Sequence, residues 1–541
     1  MKQRSTIFLL VIALLLPTAA AAQTQVRITA AERRMAETIK ADRLSNWLHF
    51  IASDAMAGRD TPSQGLDITA EFLKMKLSRW KFKPAGDNGT FFQRMTLKTE
   101  TPAPEANRLK IGETEYALNT DFFRLSGSGE GTGQAVFARH GWMVRSKGID
   151  AYEGIDVKGK VVVLYDGGFP NQNTLTRMPE GVSNADLSGT RGTDWADPIT
   201  YAAKSGAAGI IVAASPQVTA NWPRLRNFLG RGSMYVEGLR EKRPDLPVAL
   251  ISGTVSNALF DGEQAGPDSA AAFAISKTVD LKAGANVETK YTQNVVAVWE
   301  GSDPVLKNEM VAIGSHYDHV GVNPNVPGDD KIFNGADDDG SGTVAMLAIA
   351  EALAVAQTRP KRSILFVWHA GEEKGLWGAE YFNKFPTVEI KNVIAQLNID
   401  MIGRSRKPDD TDPRNRDLTG PNEVYVIGSE VMSSTLGAIT RATNDAYLKL
   451  EYNYRYDAPN DPNRFFFRSD HFHYAVNGIP IVFWFTGVHE DYHQPGDTAD
   501  KIDYAKFETI ARTIFMTMLK LSELKERPSV DKELPPELQR R

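Results

Sequence analysis

The sequence predicts an α/β protein whose main body is a doubly wound, mostly parallel sheet with helices on both faces. Short runs that are apolar at nearly every position, Ile364–Trp368 (ILFVW) the clearest, read as strands buried on both faces. These runs alternate with helical spacing from about residue 294 to about residue 524, the order of a βαβ chain. The 541 residues, at roughly 150 per domain, leave room for about three domains, and a second and smaller α/β unit interrupts the first.

Taken in chain order, Lys2 and Arg4 precede the apolar run Ile7–Leu16, which ends at Pro17 and the small residues Ala19–Ala22. This is the pattern of a secretory signal peptide over residues 1–22, so the mature chain is expected to be exported, to the periplasm or the medium. The run is too short to span a bilayer and no later segment reads as a spanning helix, so no stable membrane insertion is expected. Residues 23–126 form the N-terminal part of the main domain. Residues 30–80 read as helical, with Ile68–Leu77 in helix-like spacing behind the loop Arg59–Gly65 (RDTPSQG). Short alternating runs from Phe92 to Phe123 suggest strands.

At Gly127 the texture changes. The stretch Gly127–Gln134 (GSGEGTGQ) reads as a glycine-rich hinge that opens an inserted domain over residues 127–280. Inside it Gly159–Leu164 is a buried strand, Pro198–Ser205 a helix and Gly209–Ala213 a second buried strand. The main domain resumes over 281–526. Its elements are Asn294–Glu300, Met310–Gly314, Thr343–Ala354, Ser363–Trp368, Gly378–Lys384, Ile394–Ile399, Val424–Gly428 and Ile481–Phe485. The charged, proline-containing tail over 527–541 is expected to be mobile.

Composition narrows the function. Hydrophobic content of 42% with 24% charge rules out wholesale disorder. Lys and Arg (62) nearly balance Asp and Glu (67), so no basic field exists to hold nucleic acid. Cysteine is absent, which excludes disulfides, thiol nucleophiles, lipid anchoring through cysteine and thiolate-bound metals. A metal here has to be held by His, Asp and Glu.

Seven of the nine histidines fall between His316 and His493. Gly314–Gly321 (GSHYDHVG) follows a strand, and Gly335–Gly342 (GADDDGSG) precedes a helix. Gly371–Glu373 (GEE) follows ILFVW, Asn398–Met401 (NIDM) closes another apolar strand, and Tyr492–Thr498 (YHQPGDT) lies beyond IVFWF. Acidic residues and histidines thus gather at the carboxyl ends of several strands, where open α/β sheets bind ligands. A buried cluster of carboxylates is costly unless a cation neutralises it, and a donor set without thiolate suits Zn²⁺ or a related divalent ion.

These five segments, in this order, resemble the secreted dizinc exopeptidase superfamily, which includes bacterial leucyl aminopeptidases, glutamate carboxypeptidase II and the transferrin receptor. The resemblance covers residues 286–525 strongly, and the inserted unit looks like a protease-associated domain. It implies two Zn²⁺ ions. His316 and Asp400 would bind the first, Glu373 and His493 the second, and Asp338 would bridge both. Asp318 would orient His316 through its free ring nitrogen. Glu372 would be the general base toward a metal-bridging water, and Tyr492 would donate a hydrogen bond to the oxyanion.

Asp337, Asp339, His319, His369 and His489 are assigned to structure. Ser469–His473 (SDHFH) is left between cleft lining and structure. Phe465–Phe467 and Trp484–Phe485 read as core, and Arg404 and Asn334 as residues of the cleft edge. With His140 as its only histidine, the inserted domain is not read as a second enzyme; lid, substrate gating and partner contact stay open. The resemblance implies a zinc-dependent exopeptidase acting on peptides, with an aminopeptidase leading. A glutamate-type carboxypeptidase would need an arginine patch for a C-terminal carboxylate, for which Arg404, Arg464 and Arg468 are available. A single-zinc glutaminyl cyclase and a receptor-like binding protein without catalysis complete the alternatives.

Overall fold

Strands apolar on both sides can lie only in the middle of a sheet covered twice, and the larger sheet is built around four of them. In the computed structural model, which describes residues 25–170, 174–356 and 359–538, the chain divides into two compact units, Met1–Gln93 with Gln293–Arg541, and Arg94–Thr292. The signal-peptide expectation for residues 1–22 lies outside the described residues.

In the first unit the helices Ala41–Ile51 (α1) and Gln64–Arg79 (α2) precede the sheet. Its strands are Ala285–Trp299 (β1, which enters from the second unit), Met310–His316 (β2), Ser363–His369 (β3), Val393–Ile399 (β4), Glu423–Ile427 (β5), Glu451–Asn453 (β6) and Ile481–Phe485 (β7). Their spatial order is β1-β3-β2-β4-β7-β5-β6. The block β3-β2-β4-β7 is parallel, and every residue of these four strands is buried. Antiparallel strands flank it, β1 beside β3 and β5 beside β7. The sheet is therefore parallel in the centre and mixed at the edges.

Alternation along a strand sends successive side chains to opposite faces. Met310, Ala312, Leu365 and Val367 pack with Leu376, Phe382, Phe472 and Tyr474, on and beside the helices Trp377–Lys384 and His471–Val476. On the other side lie Gly342–Ala356, apolar almost throughout, and Tyr504–Ser522. Each fully buried Leu, Ile or Phe in these layers contributes about 1.5–3 kcal/mol. Helix α2 starts where the Ser63 hydroxyl accepts the Leu66 N–H at 3.2 Å, and it buries Leu66, Ala70, Leu73 and Leu77 on one stripe.

The second unit has an eight-stranded sheet. Gly129–Phe137, Val161–Leu164, Gly209–Ala213 and Val248–Ile251 run parallel, and Phe273–Ala283 lies antiparallel to the first of them. This α/β unit starts before the expected residue 127, because Arg108–Ile111 and Phe122–Ser126 pair within its sheet, and the strand Phe273–Ala283 carries it just past 280. The glycine-rich stretch is not a hinge: most of it is strand. A Cβ on Gly131 would lie 2.0 Å from the Ala208 carbonyl oxygen, and one on Gly133 2.3 Å from that of Gly159. Those glycines answer to close backbone approach rather than to flexibility.

Over the described part of the tail, Lys532 N–H donates to Met432 O at 3.2 Å, Asp531 accepts from Ser434, and Leu538 is buried. Apolar residues spaced among the charges give this segment something to dock with.

Candidate metal and catalytic site

Parallel strands end on the same side of a sheet, so whatever follows their last residues is gathered at one edge. His316 is the last residue of β2. Glu372 and Glu373 follow His369 at the end of β3, and Asp400 follows Ile399 at the end of β4. Tyr492 and His493 lie in the loop after β7. Asp338 comes from the turn that starts helix Gly342–Ala356. Of the sequence-derived set, His316, Asp338, Glu372, Glu373, Asp400 and His493 meet in one cluster, buried at His316, Asp338 and Asp400 and half-buried at Glu372, Glu373 and His493.

Asp338 stands at its centre. Its Oδ1 is 3.3 Å from His316 Nε2 and its Oδ2 is 3.1 Å from His493 Nε2. His316 Nε2 is also 3.7 Å from Asp400 Oδ1 and 3.9 Å from Glu372 Oε2. His493 Nε2 is 3.0 Å from Glu373 Oε2. One carboxylate therefore faces two groups of donors, each spaced as ligands of a single ion would be.

Electrostatics follow from burial. Burial, joined by the carboxylates of Glu373, Asp400 and Asp470, pushes the Glu372 carboxyl well above the usual range. Burial also raises Asp400. It opposes the charged form of His493, but Asp338 and Glu373 prevail and pull that imidazole up to about 10. Burial likewise acts to raise Asp338, which its histidine neighbours hold well below the carboxylate range. Among the described residues, Asp338 Oδ2, Glu373 Oε1 and both ring nitrogens of His319 are buried without a hydrogen-bond partner. Orphaned donors of imidazole and carboxylate type fit a divalent cation of the zinc class.

The neighbouring acids hold the frame. Asp339 accepts from His316 N (3.2 Å), Gly342 N (2.9 Å) and Met401 N (3.2 Å), tying three site segments together. Asp337 accepts from Gly403 N at 2.6 Å and faces His489 Nε2 at 3.3 Å. Asp497 accepts from the N–H groups of Asp337 and Asp338. Asp318 lies at the free ring nitrogen of His316, with its carbonyl oxygen 3.1 Å and its carboxylate 3.6 Å from Nδ1. That carboxylate accepts from Glu372 N (3.2 Å) and from the Thr61 hydroxyl (3.1 Å), so it positions the glutamate loop. A neighbour two residues along a turning chain presents its backbone more readily than its side chain.

Two residues were not legible as site residues. Arg59 is fully buried and donates to the carbonyls of Tyr317 (3.0 Å), Ile51 (2.7 Å), Asn334 (2.8 Å) and Gly335 (2.8 Å). It binds both histidine and aspartate loops to the N-terminal helices, and burial lowers its pKa to about 10. No spacing rule announces a buried arginine. His319 is drawn into the cluster, with Nδ1 2.9 Å from Glu373 Oε1 and 3.7 Å from Asp338 Oδ2. Its place beside His316 and Asp318 in HYDH was the available signal.

A pocket opens beside the cluster, lined by Met401, Phe465, Phe483, Phe485, Val488, Arg468 and Tyr492 as well as site residues. Phe465 and Phe485, read as core, are buried and line it too. Trp484 points the other way, as alternation along β7 requires, and approaches the Tyr452 hydroxyl. The Tyr492 ring stacks on His493 at 4.0 Å between centroids, and its hydroxyl accepts from Arg468 Nη2 at 3.2 Å. Burial keeps that phenol protonated far above neutrality.

Ser469 Oγ accepts from Asn398 Nδ2 and its hydroxyl bonds to the Asp400 carboxylate, and Asp470 Oδ2 is 3.3 Å from His369 Nδ1. Arg404 is held by Glu490 (3.1 Å) and Asp491 (3.0 Å), and the Asn334 amide donates to Asp54. Arg404 and Lys501 thereby neutralise the acidic group at 489–491.

Residues 294–518 match the model of peptidase family M28, in accord with the superfamily resemblance of the five segments. A probable leucine aminopeptidase 2 from Aspergillus oryzae is 32% identical over 216 residues, 39% of this chain and 37% of the relative. The leupeptin-inactivating enzyme 1 of Streptomyces exfoliatus is 29% identical over 209 residues, 38% of each. The chain thus spans about two fifths of the length of these relatives. Among solved structures, an aminopeptidase from Aneurinibacillus sp. strain AM-1 is similar at 18% identity and a TM-score of 0.48, over 93% of this chain and 98% of that one.

Proposed function

We propose that this chain, whose residues 294–518 match peptidase family M28, is a zinc-dependent aminopeptidase that removes N-terminal residues from peptides. The observation that carries the reading is Asp338, which offers one oxygen to His316 and the other to His493, at 3.3 and 3.1 Å. His316, Asp338 and Asp400 would hold one zinc ion, and Asp338, Glu373 and His493 a second. Zinc held there would polarise the scissile carbonyl and acidify an attacking water.

The chain's own groups do the rest. Glu372 reaches to 3.9 Å from His316 Nε2, and its raised pKa suits a carboxylate that must take up a proton. It accepts the proton as water oxygen bonds to the peptide carbonyl carbon. It returns that proton to the leaving nitrogen as the C–N bond breaks. Tyr492, protonated and held by Arg468 and His493, donates to the oxyanion that forms between these steps. The apolar pocket of Met401, Phe465, Phe483, Phe485 and Val488 would receive an uncharged first side chain.

Support for the amino end comes from the arginines. A C-terminal carboxylate calls for converging guanidinium groups, but Arg404 is committed to Glu490 and Asp491, and Arg464 lies over Phe467. Among the described residues, Arg468 is the one arginine lining the pocket. The names of the leucine aminopeptidase relatives point the same way. We read the Arg94–Thr292 unit as a protease-associated domain and the chain as exported.

Hydrolysis of matched leucyl peptides tests the reading. Cleavage lost only on blocking the amino end is expected, whereas loss only on blocking the carboxyl end would move the activity to the carboxypeptidase branch.

A further inference from the structure

Each of the two donor groups has a histidine at its edge, but the second group has another buried inside it. The His319 ring is fully buried, and Gly335 packs so tightly against it that a Cβ there would come within 2.4 Å of His319 Cγ. Arg59 O accepts the His319 N–H at 3.2 Å, which fixes the backbone as well. The ring cannot swing away from the cluster without disturbing two loops.

Its nitrogens have no hydrogen-bond partner among the described residues, although Nδ1 is 2.9 Å from Glu373 Oε1. A pair this close that does not satisfy the angle of a hydrogen bond points at something other than each other. Asp338 Oδ2, itself without a partner, is 3.7 Å from the same nitrogen. His493 Nε2 closes the group, 3.0 Å from Glu373 Oε2 and 3.1 Å from Asp338 Oδ2. One ligand atom each of His319, Asp338 and Glu373 lie within 4.8 Å of one another, close enough to share a single ion, and His493 Nε2 reaches Asp338 Oδ2 and the other Glu373 oxygen.

We propose that His319 is a further ligand of the second metal site, completing His319, Asp338, Glu373 and His493, an inference that rests on the metal-site reading above. The first site then has three protein ligands and keeps a position open, as sites that handle substrate do, while the second is closed by protein. The two ions differ in kind. The one beside His316 exchanges readily, and the one beside His319 is retained.

The test uses the full mature chain and zinc or cobalt(II) alone. During dialysis against graded chelator, wild-type protein should release one zinc equivalent well before the other. In His319→Asn the retained ion should weaken by more than about 10²-fold, beyond the usual cost of losing a group that merely orients a ligand, so that both ions leave together. Unchanged retention in that variant would overturn the proposal. A second measurement needs no variant. Paramagnetic NMR of the dicobalt wild type should show three shifted, exchangeable imidazole N–H signals, for His316, His319 and His493. Two signals would exclude His319 as a ligand. Wild-type protein that binds no metal would instead overturn the metal-site reading itself.

Discussion

The roles proposed for Asp338 and Glu372 differ, and substitution should separate them. Glu372 touches the cluster only at 3.9 Å through His316, so Glu372→Gln should leave metal content and melting temperature unchanged. The same change should lower kcat by at least about 10²-fold, the lower end for general acid–base catalysis. Near-native turnover would remove Glu372 from its role. Asp338→Ala takes away the carboxylate shared by both donor groups, and elemental analysis should find less than one equivalent of metal. Full retention would contradict bridging. Tyr492→Phe keeps the ring stacked on His493 and deletes only the hydroxyl. A fall of about 10² in kcat with little change in KM is the signature of a lost oxyanion donor.

At the scale of elements, the strands could be read from sequence because burial on both faces leaves an unbroken apolar run, and ILFVW became β3 as expected. The motifs could be placed because they stand where those runs stop. What could not be read depended on contacts between distant segments. Gly131 and Gly133 read as flexible until the Ala208 and Gly159 backbones proved to lie against them. Arg59 looked like a loop residue, 258 or more positions before the carbonyls of Tyr317, Asn334 and Gly335 that it binds. Arg59→Met should therefore leave buried carbonyls unpaired and loosen both loops. It should cost on the order of 3 kcal/mol of stability and reduce metal affinity as well. A melting temperature within one or two degrees of wild type would refute that role. The turn after β5 allows a test by pH. Asp457 accepts the Gly428 N–H at 2.5 Å, but burial raises its pKa to about 6. Between its unfolded value near 4 and about 6, the unfolded chain gives up the proton first, so folding loses stability as pH rises through that window. Asp457→Asn should then raise the melting temperature more at pH 7.5 than at pH 4.5; equal gains would contradict the account.

For the whole molecule, the two units differ in what they offer. The site residues come from the first unit, where the carboxyl ends of parallel strands converge. The second unit's histidine, His140, accepts the Trp142 N–H and is pushed down to about 4 by burial, a structural residue. The edge of the sheet was foreseeable as the binding edge, because strand direction fixes it. The extent of the second unit was not, because packing between distant residues and not composition sets its border at Arg94 and Thr292. Asp338 is proposed to join two metal positions. Elemental analysis of the purified mature chain, equilibrated with zinc and separated rapidly from unbound zinc without chelator, decides this. Two zinc equivalents per chain are expected, and a single equivalent, or none, would overturn the bridging role.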